Sequence, residues 1–133
     1  MNDIKLMNKA ADNIRILAAS MVEKAKSGHP GGAMGGADFV NVLFSEFLVY
    51  DPKNPAWEGR DRYFQDPGHM SPMLYSVLAL AGKFTIDELK EFRQWGSVTP
   101  GHPEVNVMRG IENTSGPLGQ GHTYAVGAAI AAK

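Results

Sequence analysis

Glycine and proline are gathered into clusters in this sequence, and three of the clusters carry a histidine: Gly28-His29-Pro30, Gly68-His69-Met70 and Gly101-His102-Pro103. The chain has 15 glycines and 8 prolines among 133 residues, about 17% against a usual ~12%. Glycine allows close backbone approach and proline stiffens the backbone around it, so each cluster reads as a built loop. The stretches between them must then form short elements with apolar faces.

Those elements read as helices. Ile4, Met7, Ala11, Ile14, Ala18, Met21 and Ala25 recur at steps of three and four, predicting one long amphipathic helix. Asn2 is the expected start cap, and Ser27-Gly28 with Pro30 ends the helix near Lys26. A second helix comes after the glycine-rich stretch Gly28 to Gly36, with Phe39, Val40, Leu43, Phe44 and Phe47 as its buried side. Asp51 to Pro55 is a loop anchored by Trp57. Arg62-Tyr63-Phe64-Gln65 is the best strand candidate, stopped by Asp66-Pro67-Gly68.

Ser71-Pro72 reads as a cap and first-turn proline, opening a helix that Gly82 closes. Thr85 and Glu88 form a capping box, and Phe84 with Leu89 takes the staple positions. That helix is expected to run to Trp95 and stop at Gly96. Residues 97–115 are loop-like, and a last helix is expected from Gly116-Pro117 onward. Ala131-Ala132-Lys133 supplies no cap or breaker, so the pattern reads as cut in mid-helix. One strand among some five helices also leaves those apolar faces without a sheet to pack on. The expectation is an incomplete α/β unit.

Composition narrows the function. Thirteen basic side chains oppose fourteen acidic ones, so charge alone would hold neither nucleic acid nor an anionic membrane. The absence of cysteine excludes disulfides and thiol nucleophiles and suits a reducing cytoplasm. No apolar run is long enough for a transmembrane helix, and charged residues interrupt any signal-peptide core. Neither nucleic-acid nor membrane partners are expected.

The three glycine-flanked histidines are the strongest chemical signal, since each could set an imidazole against an anion or hydroxyl near physiological pH. A single Gly-His pair usually means only a satisfied turn, but independent turns have no reason to share this composition three times. The histidines lie tens of residues apart and lack helical metal-ligand spacing, which leaves a metal held by three of them a minor alternative. Thr114-Ser115-Gly116-Pro117-Leu118-Gly119-Gln120-Gly121 enters a helix and offers free amides to an anion, or else is a packing turn. It carries neither the Walker lysine nor the dinucleotide glycine spacing. There is no serine-hydrolase elbow. Arg60, Arg62 and Arg109 could meet a sugar phosphate, although lone arginines are more often paired or solvated. His122 is expected to pack or face water.

In order, Ser27-Gly28-His29-Pro30-Gly31-Gly32, Met34 to Asp38, Asp61-Arg62-Tyr63 with Gly68-His69, Phe92-Arg93-Gln94 with Thr99 to Glu104, and Thr114 to Gly121 resemble the N-terminal part of transketolase. The resemblance implies the mostly helical N-terminal portion of a doubly wound α/β domain that binds thiamine diphosphate. It places residues 1–133 in that domain and the metal-binding motif and later domains beyond Lys133. It implies that His69, Gly116, Pro117 and Leu118 contact the cofactor and that His29 and His102 face the donor sugar as catalytic groups. Magnesium would be the second cofactor, its ligands outside this stretch.

The implied partners are sugar phosphates, a complementary C-terminal part and a second copy in a homo-oligomer. The implied reaction moves a two-carbon ketol unit from ketose to aldose, and the 133 residues alone should be inactive. The competing expectations are a non-catalytic assembly fragment that keeps the motifs as scaffold, and an unrelated phosphate-binding helical protein. Two positions depart from the family's usual pattern: Asp66-Pro67 precedes Gly68-His69 where Ser/Asn is usual, and His122 follows Gln120-Gly121 where a small or apolar residue is usual. A carboxylate beside a diphosphate would repel it unless Asp66 turns away or binds a cation.

Overall fold

The structure, a computed structural model, describes residues 2–133. Six α-helices occur in order: α1 (Ile4–Ala25), α2 (Pro30–Gly35), α3 (Ala37–Val42), α4 (Ser71–Leu80), α5 (Ile86–Lys90) and α6 (Gln120–Ala131). A π-helical turn, Leu43–Phe47, extends α3, and 3-10 turns occupy Gly68–Met70 and Val107–Arg109.

The start of α1 is capped by Asp3, whose carboxylate accepts from the amides of Lys5 and Leu6, and not by Asn2 as expected. A carboxylate also suits the positive end of the helix dipole, which Asn2 would not exploit. The predicted stripe is buried through Ala11, Ile14, Ala18 and Met21 but leaves Ile4 exposed. Lys26 ends the helix in the left-handed region, as the Ser27-Gly28 signal requires.

Helix α4 is the centre of the fold. Every residue from Ser71 to Leu78 is buried, and α1, α2, α3 and α5 all pack on it. The glycine-rich segment explains the closeness of α2: a methyl at Gly32 would lie 2.9 Å from Met70 Cγ, and one at Gly36 2.6 Å from Met73 Sδ. Gly31 and Gly35, on the other face, have open space. Gly32 and Gly36 therefore serve packing between helices. Ser71 is not the side-chain cap expected; its hydroxyl donates instead to the carbonyl of Gly101 at 2.7 Å.

Several other expectations are corrected. Among the described residues no strand forms; Arg62 to Gln65 are extended, and the one β-bridge joins Asn106 to Ile111. The polar groups of Gln65 are met by side chains: its amide donates to Asn113 Oδ1, and its carbonyl accepts from Asn113 Nδ2 and Ser115 Oγ. Phe39 and Phe47 are exposed while Val40 and Phe44 carry the buried face; Phe47 lies in the π-helical turn, which shifts the register after Leu43. Trp57 lies over Gly59 yet remains 42% exposed. Helix α5 stops at Lys90, short of Trp95; Arg93 takes a left-handed φ of 61° and donates its amide to Thr99.

The capping box forms as expected, with Thr85 and Glu88 each bonding the other's amide. Glu88 also pairs with Arg109. That pairing, together with the Thr85 amide, holds its carboxyl down at about 2. A depressed carboxylate adds stability above the ordinary value of 4.5 and loses it as pH falls toward 2. In the full-length polypeptide, E88Q should therefore flatten the acid limb of stability between those values, as read by pH-dependent thermal melting. G36A should cost about 1–3 kcal/mol by overpacking Met73, whereas G35A, one residue away, should cost nothing.

Candidate functional site

Each of the three glycine-flanked histidines is placed by α4 or by an element packed on it. His69 sits in the 3-10 turn that runs directly into α4. His29 precedes α2, with its side chain exposed and not used as a cap. The two rings meet at 4.7 Å between centroids, tilted by 46°. His102 rides on a loop whose preceding carbonyls are held by α4: Pro100 accepts from the Tyr75 hydroxyl at 2.8 Å and Gly101 from Ser71. Residues 29, 69 and 102 are thus brought to one place from loops that are far apart in sequence.

His102 lies within electrostatic reach of the other two rings. The His102 imidazole is held below its ordinary 6.5, first by burial, then by the Arg93 cation and by the charges His69 and His29 would carry. Its neutral form is therefore favoured as pH falls through 6.5. Arg93 stands between two of the histidine loops. One of its guanidinium nitrogens, Nη1, donates to Ser27 Oγ at 3.0 Å, and its buried Nε lies 2.7 Å from where a methyl on Gly101 would project. A groove of about 860 Å³ runs from Ser27 past Arg93 to His102 and Glu104.

The turn Gly116-Pro117-Leu118-Gly119 lies against the His69 loop. A methyl on Gly68 would sit 2.8 Å from the Ser115 carbonyl carbon, so these two backbones touch. Ser115 also donates its amide to Pro103, tying the turn to the His102 loop. The turn is outside α6, which begins at Gln120 and not at Gly116-Pro117 as expected; Gly119 has a φ of 84° and breaks the helical path. Gly116 has open space beside it, and Leu118 is 72% exposed. The turn thus offers backbone amides and an apolar side chain to a ligand standing over it.

Of the arginines singled out in the sequence, Arg60 forms a two-point pair with Glu112, and both side chains are about nine-tenths buried. Arg109 pairs with Glu88 and lies 4.8 Å over the Phe84 ring. Arg62 is exposed. None of these lines the histidine cluster; Arg93 does, and it was visible in the sequence only as part of Phe92-Arg93-Gln94. Its role depends on a left-handed backbone that no residue pattern announces. Asp66 is engaged by the entrance of α6. Its Oδ1 accepts from the Gly119 amide, and its Oδ2 lies 2.6 Å from His122 Nδ1; the His122 ring faces water, as expected, but meets this carboxylate at its edge. Among the described residues, no group of three or more histidines and carboxylates is placed to hold a metal ion, and no helix is long and apolar enough to cross a membrane.

Imidazoles from separate loops, set near a glycine-proline turn at a helix entrance, make an arrangement whose chemistry suits an anionic ligand. Residues 6–133 match the family described as "Transketolase, thiamine diphosphate binding domain". The chain belongs to the transketolase family. It is 54% identical over 127 residues to the transketolase of Buchnera aphidicola, covering 95% of this chain and 19% of that protein. Its fold matches the crystal structure of transketolase from Campylobacter jejuni with a TM-score of 0.93 at 48% identity, over 98% of this chain and 21% of that one. Transketolase from Leishmania mexicana matches with a TM-score of 0.90 at 50% identity, over 94% and 19%. The chain therefore spans about a fifth of the length of the relatives it matches.

A titration tests the electrostatics directly. In the full-length protein without cofactor, the His102 ring should titrate below 6.5 by NMR, and R93M should move the midpoint back up by removing the cation.

Proposed function

We propose that the protein carrying these residues transfers a two-carbon ketol unit from a ketose phosphate to an aldose phosphate, with thiamine diphosphate as its cofactor. The observation that supports this most is the meeting of His29, His69 and the neutral-leaning His102 beside the Gly116–Gly119 turn. The residues suit the cofactor. Imidazole nitrogens and turn amides are donors for a diphosphate, Leu118 offers an apolar surface for rings, and the nearby carboxylate of Asp66 is engaged elsewhere. When bound, the cofactor supplies the electron sink that allows the carbon–carbon bond beside the sugar carbonyl to break.

The remaining work falls to the chain's own groups. His69, stiffened by the start of α4, donates a hydrogen bond to the diphosphate, while Gly116, Pro117 and Leu118 set the cofactor's height over the turn. His29 and His102 hold the donor's hydroxyls and move a hydroxyl proton between sugar and solvent. A His102 kept neutral by burial and Arg93 has a free nitrogen lone pair to accept that proton. Arg93 adds fixed positive charge where a phosphorylated substrate would enter. Magnesium would neutralise the diphosphate using ligands outside these residues. The complementary C-terminal part and a second copy of the chain would complete the site and cover the apolar side chains of Phe39, Phe47, Val126 and Ile130, which are exposed here. The lack of cysteine suits a reducing cytoplasm.

Ketol transfer by the full-length protein, with magnesium and thiamine diphosphate, is the test. H102A should lower kcat/KM for the ketose by about 10²–10⁴ with little change in cofactor affinity, as expected for a proton-moving group. H69A should weaken cofactor binding by calorimetry. The 133-residue chain alone should show no turnover, and cofactor heat without any transfer in the full-length protein would refute the reading.

A further inference from the structure

Asp66 and His122, far apart in the sequence, are partners in space. Asp66 immediately precedes the Pro67-Gly68-His69 segment, and His122 stands in the first turn of α6. Their side chains approach to 2.6 Å, between Oδ2 and Nδ1. The Asp66 side chain is 5% exposed and the His122 ring 79% exposed, so a buried carboxylate is met by a ring standing at the surface of the described residues. The contact lies off the line of an aligned hydrogen bond and becomes an ion pair when the ring is protonated. The other carboxylate oxygen accepts from the Gly119 amide at 3.3 Å. Asp66 therefore caps α6 from outside its own chain segment and grips it at two points.

The surrounding backbone leaves no slack. A methyl on Gly121 would lie 2.6 Å from Asp66 Cβ and 2.8 Å from the Gln65 carbonyl oxygen. One step along, Gly68 is flush against Ser115, whose hydroxyl donates to that same Gln65 carbonyl. Segment 65–69 and segment 113–122 are thus zipped together, with the Asp66–His122 contact at the end nearest α6. The Gly116–Leu118 turn and His69 are the parts of this zip left facing the ligand. An alanine at position 66 would remove both grips and free Gly119 to swing.

We propose that Asp66 and His122 form a positioning pair that presets the distance between His69 and the Gly116–Leu118 turn, so that thiamine diphosphate meets an ordered mouth. The pair does not touch the reacting atoms. It acts by sparing the bound state the cost of ordering the turn, which otherwise appears as lost affinity. The proposal rests on the ketol-transfer function.

The test uses the full-length protein, magnesium and thiamine diphosphate, with affinity measured by calorimetry and the apo melting temperature measured alongside. D66A and H122A should each weaken cofactor affinity by about tenfold. The double variant should be no weaker than the poorer single variant, because both remove the same contact. H122N, which keeps a nitrogen near the Nδ1 position, and D66N, which keeps an oxygen for the Gly119 amide, should recover most of the affinity. H122A remains informative if D66A fails to fold, because the ring is largely exposed. A fall in melting temperature with unchanged affinity, or fully additive losses in the double variant, would overturn the proposal. No cofactor heat from the parent protein would instead overturn the ketol-transfer function, and the proposal with it.

Discussion

Two hydroxyls on one buried helix hold the site together. Ser71 and Tyr75, one turn apart on α4, donate to the carbonyls of Gly101 and Pro100. His69 lies two residues before Ser71, so these bonds fix the His102 loop relative to His69 almost without intervening structure. Each bond adds only about 1 kcal/mol net, but a buried carbonyl left without its donor costs about 1–3 kcal/mol. Burial pushes the Tyr75 hydroxyl far above its ordinary range, so it remains a proton donor at any physiological pH. The loop is therefore held by groups that neither titrate nor move.

The third histidine is held chiefly by shape. His29 enters the site because α2 lies close to α4, and it lies close because Gly32 and Gly36 present no side chain to Met70 and Met73. The methionines are the compliant side of this contact, since an unbranched thioether can fill an irregular gap. Close packing and hydrogen bonding thus act on different histidines and share one reference, α4. Arg93 joins the two systems. Its guanidinium reaches Ser27 on the His29 side and lies against Gly101 on the His102 side, a bridge made possible by a left-handed backbone that also ends the α5 region early.

Much of this was legible in the sequence, and the parts that were not have physical causes. The capping box at Thr85 and Glu88 and the end of α1 at Lys26 are local events, determined by residues within a turn of one another, and both form as their residues dictate. The motifs carrying the histidines point to the family; the rings of His29 and His69 do meet, and His102 lies within electrostatic reach of both. Several of the inferences that fail are those in which a remote partner decides. Arg62 to Gln65 has strand composition, but side chains of Asn113 and Ser115 take up the polar groups of Gln65. Ser71 has the composition of a cap, but a carbonyl thirty residues away takes its proton. Phe47 has the period of a buried face, yet it lies in a π-helical turn that shifts the register and is exposed.

Asp66 shows the same rule working on charge. In the sequence it stands three residues from His69, where a carboxylate would oppose an anionic ligand. In the fold its direction matters more than its proximity: Oδ1 is turned to the Gly119 amide and Oδ2 to His122, two groups that attract negative charge. The helix end that would otherwise expose its amides to solvent is satisfied by a protein carboxylate, leaving the turn ahead of it, Gly116 to Leu118, as the face open to a ligand. A negative residue beside an anion site is therefore compatible with binding when its charge is spent on orienting that site.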